Sequence, residues 1–299
     1  MSVRNGVSET VEIIRGLYLE GLAVDTAREL IWYSDVIAGG VHAVRPDGTP
    51  VFTLNPDRKW TGGVMLNQDG AVLSSGAGGI MWNHPEDGTG GWLISEVDGV
   101  PLMGVNEMTP DGHGGIYFGS VDVEQIEKGE PPRPASLYHL SADRKARLVA
   151  GPLGFTNGIM RSLDGARLFY NDTFDATYVF DIRGDGSLGP RRKLLDKDDC
   201  DGMALDADGN LVITGYKSGA LTRMTPAGEV LDPIEVPAEA ITQVRYGGSD
   251  LRDIYMNCVP LDAGDGLAVG EAPTEQRSFL LRGRVEKPGR AQGVAGFEI

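Results

Sequence analysis

Six stretches of the 299-residue chain repeat one pattern. They are EGLAVD from Glu20, GGVMLNQDG from Gly62, NEMTPDG from Asn106, NGIMRSLDG from Asn157, DGMALDADG from Asp201 and TQVRYGGSD from Thr242, spaced by 42, 44, 51, 44 and 41 residues. A period of about 40–50 residues marks a repeat architecture such as a propeller. Each stretch reads as a short alternating strand that runs into a turn rich in Asp and Gly. A second strand follows in every unit (ELIWYSD, AVLSSG, GIYFGS, RLFYNDT, NLVITG, DIYMNC), rich in β-branched and aromatic residues. A third strand and a weaker fourth segment, such as VFTL or VLDPIEVP, complete the unit.

Four antiparallel strands in each of six units predict an all-β, six-bladed β-propeller occupying 1–299 as one domain. A lone blade leaves both faces bare; a ring of blades buries them and leaves no long open edge. The sixth unit has no evident outer strand after Val285, so VEIIRGL (11–17) is expected to supply it and close the ring. The 43 glycines and 17 prolines fall in small clusters, as frequent turns require. A net charge of −16 argues against nucleic acid as a partner and suits cation binding. Two cysteines, Cys200 and Cys258, are too few for a disulfide scaffold and are expected as buried free thiols. No apolar signal core opens the chain and no apolar run is long enough for a membrane helix, so a cytoplasmic location without membrane contact is expected.

In a propeller the first strand of each blade lines the central channel, and the loop entering it lies at one mouth, here the top. Residues 20, 62, 106, 157, 201 and 242 then converge on the axis at that mouth, as Glu, Gly, Asn, Asn, Asp and Thr. Two carboxylates and two amides in a closed channel need compensation. One divalent cation held by Glu20, Asn106, Asn157 and Asp201 would supply it. Oxygen-only donors suit a hard cation, Ca²⁺ first, with Mg²⁺, Mn²⁺, Zn²⁺ or Fe²⁺ as alternatives. Asn-Gly and Asp-Gly also mark ordinary turns, but four polar residues at one equivalent position exceed what turns demand. DKDDCDG (196–202) looks like part of an EF-hand loop and fails that pattern at Lys197 and Asp208.

With these residues the sequence resembles the senescence-marker-protein/gluconolactonase family of six-bladed, metal-dependent lactonases, over nearly the whole chain. EGLAVD with IWYSD, NGIMRSLDGARLFYNDT and DGMALDADGNL carry the resemblance most specifically. It implies metal ligands at Glu20, Asn157 and Asp201. Asn106 matches an asparagine that is a metal ligand in phosphotriesterase relatives and a substrate contact in sugar lactonases. Sugar lactonases often have an Arg two residues before that Asn and an Asp after it; here Gly104 and Glu107 stand there. The missing Arg, with Met103 and Trp60 in mouth loops, points to a less sugar-like, more apolar lactone.

The four histidines are poorly placed for a base: His42, His84 and His139 fall in third strands and His113 in a bottom turn. Asp201 is therefore the expected base or nucleophile, with Glu20 second, as the resemblance also implies. The long loops 121–135 and 259–276 should wall the pocket. Asp122, Asp172, Tyr216 and Lys217 at the starts of such loops, with Asn106 and Glu107, are the candidate substrate contacts. Lactone hydrolysis on a small molecule is the leading reading. Phosphotriester hydrolysis, a metal-assisted isomerase or lyase step, and a non-catalytic calcium-binding propeller are the alternatives.

Overall fold

The second strands Leu30–Asp35, Val72–Gly76 and Leu211–Gly215 are buried along almost their whole length. A strand covered on both faces reads as a near-continuous apolar run, and each blade is covered by its two neighbours. Outer strands such as Pro50–Leu54, Arg192–Asp196 and Val230–Glu235 are largely exposed or half-buried. Their mixed composition makes the fourth strand the faintest part of the sequence pattern. The structure, a computed structural model, describes residues 6–131 and 133–299.

Six four-stranded antiparallel sheets form a six-bladed β-propeller. Their inner strands are Leu19–Asp25, Thr61–Leu66, Val105–Pro110, Phe155–Arg161, Cys200–Leu205 and Ala240–Gly247. The sixth sheet runs Ala240–Gly247, Asp253–Val259, Ser278–Arg284 and then the N-terminal strand Ser8–Gly16. That strand pairs antiparallel with its neighbour, from Ser8 opposite Arg284 to Gly16 opposite Ser278. The ring is thus closed by the start of the chain, with a strand a little longer than the segment 11–17 read from the sequence.

Every junction between blades has its own apolar cluster. Blades one and two share Ala23, Trp32, Val64 and Val72; blades six and one share Leu19, Leu22, Tyr255 and Leu280. The other four junctions are built alike. The core is therefore a ring of six slabs rather than one central mass, and the axis is left to polar groups.

Two features lie outside the repeat. Short helices α1 (Val123–Glu127) and α2 (Leu261–Ala268) occupy the long connections of blades three and six. The last residues cross the bottom face: Arg290 N donates to Leu205 O in blade five, Ala295 N to Leu66 O in blade two and Gly296 N to Gly114 O in blade three. Phe297 is buried, and its backbone exchanges 2.9 Å hydrogen bonds with the Asn67 side chain. Among the described residues no helix is long and apolar enough to cross a membrane.

Candidate active site

In each blade the pairing of inner and second strands slips at the same place. The register breaks between Leu19 and Leu22, Thr61 and Val64, Val105 and Met108, Thr156 and Ile159, Cys200 and Met203, and Ile241 and Gln243. A bulge bends the strand and re-aims a side chain. The residues inside the first five breaks are Glu20–Gly21, Gly62–Gly63, Asn106–Glu107, Asn157–Gly158 and Asp201–Gly202. The glycines are needed because blades approach closely here. A methyl group on Gly21, Gly158 or Gly202 would lie 2.1, 2.4 or 2.6 Å from the carbonyl oxygen of Gly62, Asp201 or Thr242 in the next blade.

Those carbonyls are held by the preceding blade's second strand. Ser34 Oγ donates to Gly62 O at 2.7 Å, Asn171 Nδ2 to Asp201 O at 2.7 Å, Thr214 Oγ1 to Thr242 O at 2.9 Å and Asn257 Nδ2 to Glu20 O at 2.9 Å. Ser75 Oγ does the same for Asn106 O. Blade three carries Gly119 in this place, where a Cβ would lie 2.6 Å from Thr156 Cβ. The polar second-strand residues thus fix the backbone of the ring position from behind.

Glu20, Asn106, Asn157 and Asp201, from four different blades, line one cavity of about 750 Å³. Asn106 donates its Nδ2 to Thr156 O at 2.8 Å, which leaves its amide oxygen for the site. Burial, and then repulsion from Glu107, raises the Glu20 carboxyl to about 8. Asp201 is pushed well above the usual carboxylate range by burial, then by Glu20 and Glu107, with an Asn157 hydrogen bond opposing. Asp201 Oδ1 is buried without a hydrogen-bond partner. Below the ring, the long residues Glu107 and Gln243 fill the room left by Gly63 and Gly202, whose Cβ atoms would each come within 2.3 Å of them. Gln243 Nε2 donates to Glu107 Oε2. The buried Arg245 reaches Glu107 at 3.6 Å and donates to Met203 O at 3.0 Å. Burial raises Glu107 while Arg245 pulls it down.

Three carboxylates, Glu107 and Asp201 buried and Glu20 half-buried, thus share one guanidinium, Arg245, which reaches Glu107. An orphaned carboxylate oxygen, two amides and a deficit of two positive charges fit a hard divalent cation on Glu20, Asn106, Asn157 and Asp201. Among the described residues no three His, Cys, Asp or Glu side chains gather as a metal cluster; this set takes half its oxygens from amides.

A family model described as "SMP-30/Gluconolactonase/LRE-like region" matches residues 19–259. The chain belongs to that family. It is 26% identical to the 6-deoxy-6-sulfogluconolactonase of Pseudomonas putida, over 76% of this chain and 78% of that one. It is 23% identical to the pentonolactonase of Haloferax volcanii, over 88% and 89%. A solved calcium-binding protein, regucalcin, from Agrobacterium tumefaciens shares the fold with a TM-score of 0.80 and 17% identity, covering 100% of both chains.

In this SMP-30/gluconolactonase family member the remaining candidates fall in four places. Trp60, Tyr216 and Lys217 line the cavity with the ring residues, and α1 and α2 contribute Val123, Ile126 and Leu267 to its wall. Glu107 lies beneath the ring, held by Arg245 and Gln243, and not in the cavity wall. Met103 and Asp122 are also outside that wall: Met103 is 46% exposed, and Asp122 caps α1, accepting from Gln125 N at 3.2 Å and pairing with Arg133 at 2.8 Å. Asp172 anchors a wall loop by accepting from Gly154 N and Phe155 N. Among the described residues no histidine lines the cavity; His139 pairs with Asp111 at 2.8 Å towards the bottom. Cys200 and Cys258 are buried free thiols, pushed up by burial.

Tyr18 lines the cavity although no repeat position singles it out. Burial and the nearby Glu20 and Asp201 charges hold its phenol protonated. Gln243 and Arg245 also escaped the sequence pattern. The position after each ring residue reads Gly, Gly, Glu, Gly, Gly, Gln, and the two long side chains on opposite blades are the signal that would have paired them.

Proposed function

We propose that the protein is a divalent-metal-dependent lactonase, with calcium as the preferred ion. The convergence of two carboxylates and two amides from four blades, with an unpartnered Asp201 oxygen, carries the reading. Lactonase names on two relatives, the sulfogluconolactonase and the pentonolactonase, support the reaction class. A bound cation supplies Lewis-acid polarisation of the ester carbonyl. Asp201 accepts the proton of the attacking water as the new C–O bond forms, and returns it to the ring oxygen as the acyl C–O bond breaks. Asn106 orients the lactone, and Tyr18 offers a donor to it. Gly104 in place of an arginine, and the apolar residues Val123, Ile126 and Leu267 in the wall, favour a lactone less sugar-like than an aldonolactone.

The test is ring opening of a lactone panel by the purified chain, with chelator and after calcium is restored. Activity abolished by chelator and recovered with calcium supports the proposal. Calcium binding without turnover of any lactone would leave a non-catalytic calcium-binding propeller, and turnover indifferent to chelator would remove the cation from the reaction.

A further inference from the structure

Two of the cavity's aromatic residues sit in a backbone conformation that bulky side chains avoid. Trp60 has φ +55° and Phe174 has φ +77°. Such outliers persist only where surrounding structure enforces them, and they gather at functional sites. Both are enforced here. Trp60 N donates to Val36 O at 2.7 Å and its carbonyl accepts from Ala77 N; Phe174 N donates to Asp198 O at 2.7 Å. Phe174 is nonetheless 56% exposed. Its ring meets Phe155 edge-on at 5.7 Å and Tyr216 edge-on at 6.1 Å, so three aromatic rings form one surface in the cavity wall. Trp60 is half-buried against Tyr18 and Val36 and donates its Nε1 to Glu127, whereas the Phe174 ring is held towards water in an unfavourable conformation, which makes sense as a surface for a ligand.

The charge on the wall narrows that ligand. Besides Glu20 and Asp201, the cavity is lined by Glu130, Asp198, Asp199 and Asp265. Lys217 is the one cation among the described lining residues, and Asp265 ties it at 2.8 Å. A dication on the ring would offset Glu20 and Asp201; Lys217 matches Asp265 and Lys197 pairs with Asp199 at 2.5 Å, which leaves Glu130 and Asp198 as wall carboxylates without a cation. A ligand with its own negative charge meets repulsion and no free cation.

We infer that Trp60, Phe155, Phe174 and Tyr216 form a specificity site for a planar apolar group on an uncharged lactone, and that the wall carboxylates reject lactones carrying a further anion. The inference deepens the lactonase reading and rests on it only for the reacting group. It also accounts for product departure, since ring opening creates a carboxylate inside an acidic wall.

The calcium-loaded full chain is assayed with three δ-lactones: a benzo-fused one, a polyhydroxylated one, and a polyhydroxylated one bearing a sulfonate. The benzo-fused lactone should have the highest kcat/KM, by about tenfold or more, and the sulfonated one the lowest. Phe174→Ala should raise KM for the benzo-fused lactone about tenfold, with a smaller loss in kcat. Trp60→Ala gives the same reading should Phe174→Ala fail to fold. Glu130→Gln with Asp198→Asn should raise kcat/KM for the sulfonated lactone. Preference for a polyhydroxylated or sulfonated lactone, or a KM unmoved in the folded variants, overturns the inference and leaves the hydrolase reading standing. Should no lactone be opened, calorimetry with the benzo-fused lactam reads the aromatic surface alone. Binding weakened by Phe174→Ala then supports the inference although hydrolysis has failed, and absence of binding overturns it.

Discussion

Asp201 has lost its solvent and, at Oδ1, every protein donor, and it faces Glu20 and Glu107 across the axis. Asparagine keeps the shape and removes both the charge and the proton acceptor. Asp201→Asn should lower kcat by about two orders of magnitude or more, measured at saturating calcium; near-normal rates would remove Asp201 from the chemistry. Arg245 answers the charge on Glu107 in a place water does not reach, its side chain only 5% exposed. Arg245→Met leaves that carboxylate buried and unpaired, which should cost about 3–5 kcal/mol in denaturant unfolding, whereas the double change Arg245→Met with Glu107→Leu should recover much of it. Single residues were legible where the repeat aligned them, as with Glu20, Asn157 and Asp201. The Glu107–Gln243–Arg245 contact joins blades three and six, more than a hundred residues apart, and no local pattern announces it.

The bulged start of each inner strand does two things at once: it turns a side chain to the axis and exposes a carbonyl that the neighbouring blade's second strand must satisfy. Asn171 does this for Asp201 and also accepts from Thr177 Oγ1 at 2.7 Å. Asn171→Leu strands the Asp201 carbonyl and the Thr177 hydroxyl, and should destabilise by about 1–3 kcal/mol while weakening calcium binding; a stability loss with unchanged calcium affinity would mean that the second strand does not position the ring. Strands were readable because each follows a two-residue period or a buried apolar run. The helices α1 and α2 were not: five and eight residues long, they sit in loops whose polarity reads only as irregular chain. Their place is set by tertiary approach. A Cβ on Gly129, at φ +63°, would fall 2.4 Å from the Val269 carbonyl carbon, so the two loops meet over the cavity only where a glycine allows it.

At the scale of the molecule, closure and charge decide behaviour. The sequence repeat pointed to the ring and to its closing strand, because an open sixth blade would leave an unpaired edge. The C-terminal segment over the bottom face follows no repeat and was not foreseen; it is read only from contacts such as Gly289 against the Tyr246 ring. The acids at the axis link stability to pH. An unfolded Glu20 gives up its proton near 4.5, and the folded, cation-free protein keeps it to about 8. Between those values the folded state binds more protons than the unfolded one, so stability should fall as pH rises; Glu20's share of that fall ends at about 8, and Asp201, raised by the same burial, acts in the same direction. Thermal unfolding in chelator across that window should show a falling Tm that calcium abolishes; a Tm that rises across it would contradict the assignment. Whether residues from four blades share one ion is read by calorimetric titration of the chelator-stripped chain with calcium. A shared ion gives one saturable site per chain, lost in the double variant Glu20→Gln with Asp201→Asn; no saturable binding, or binding that the double variant leaves intact, would show that these four residues hold no ion.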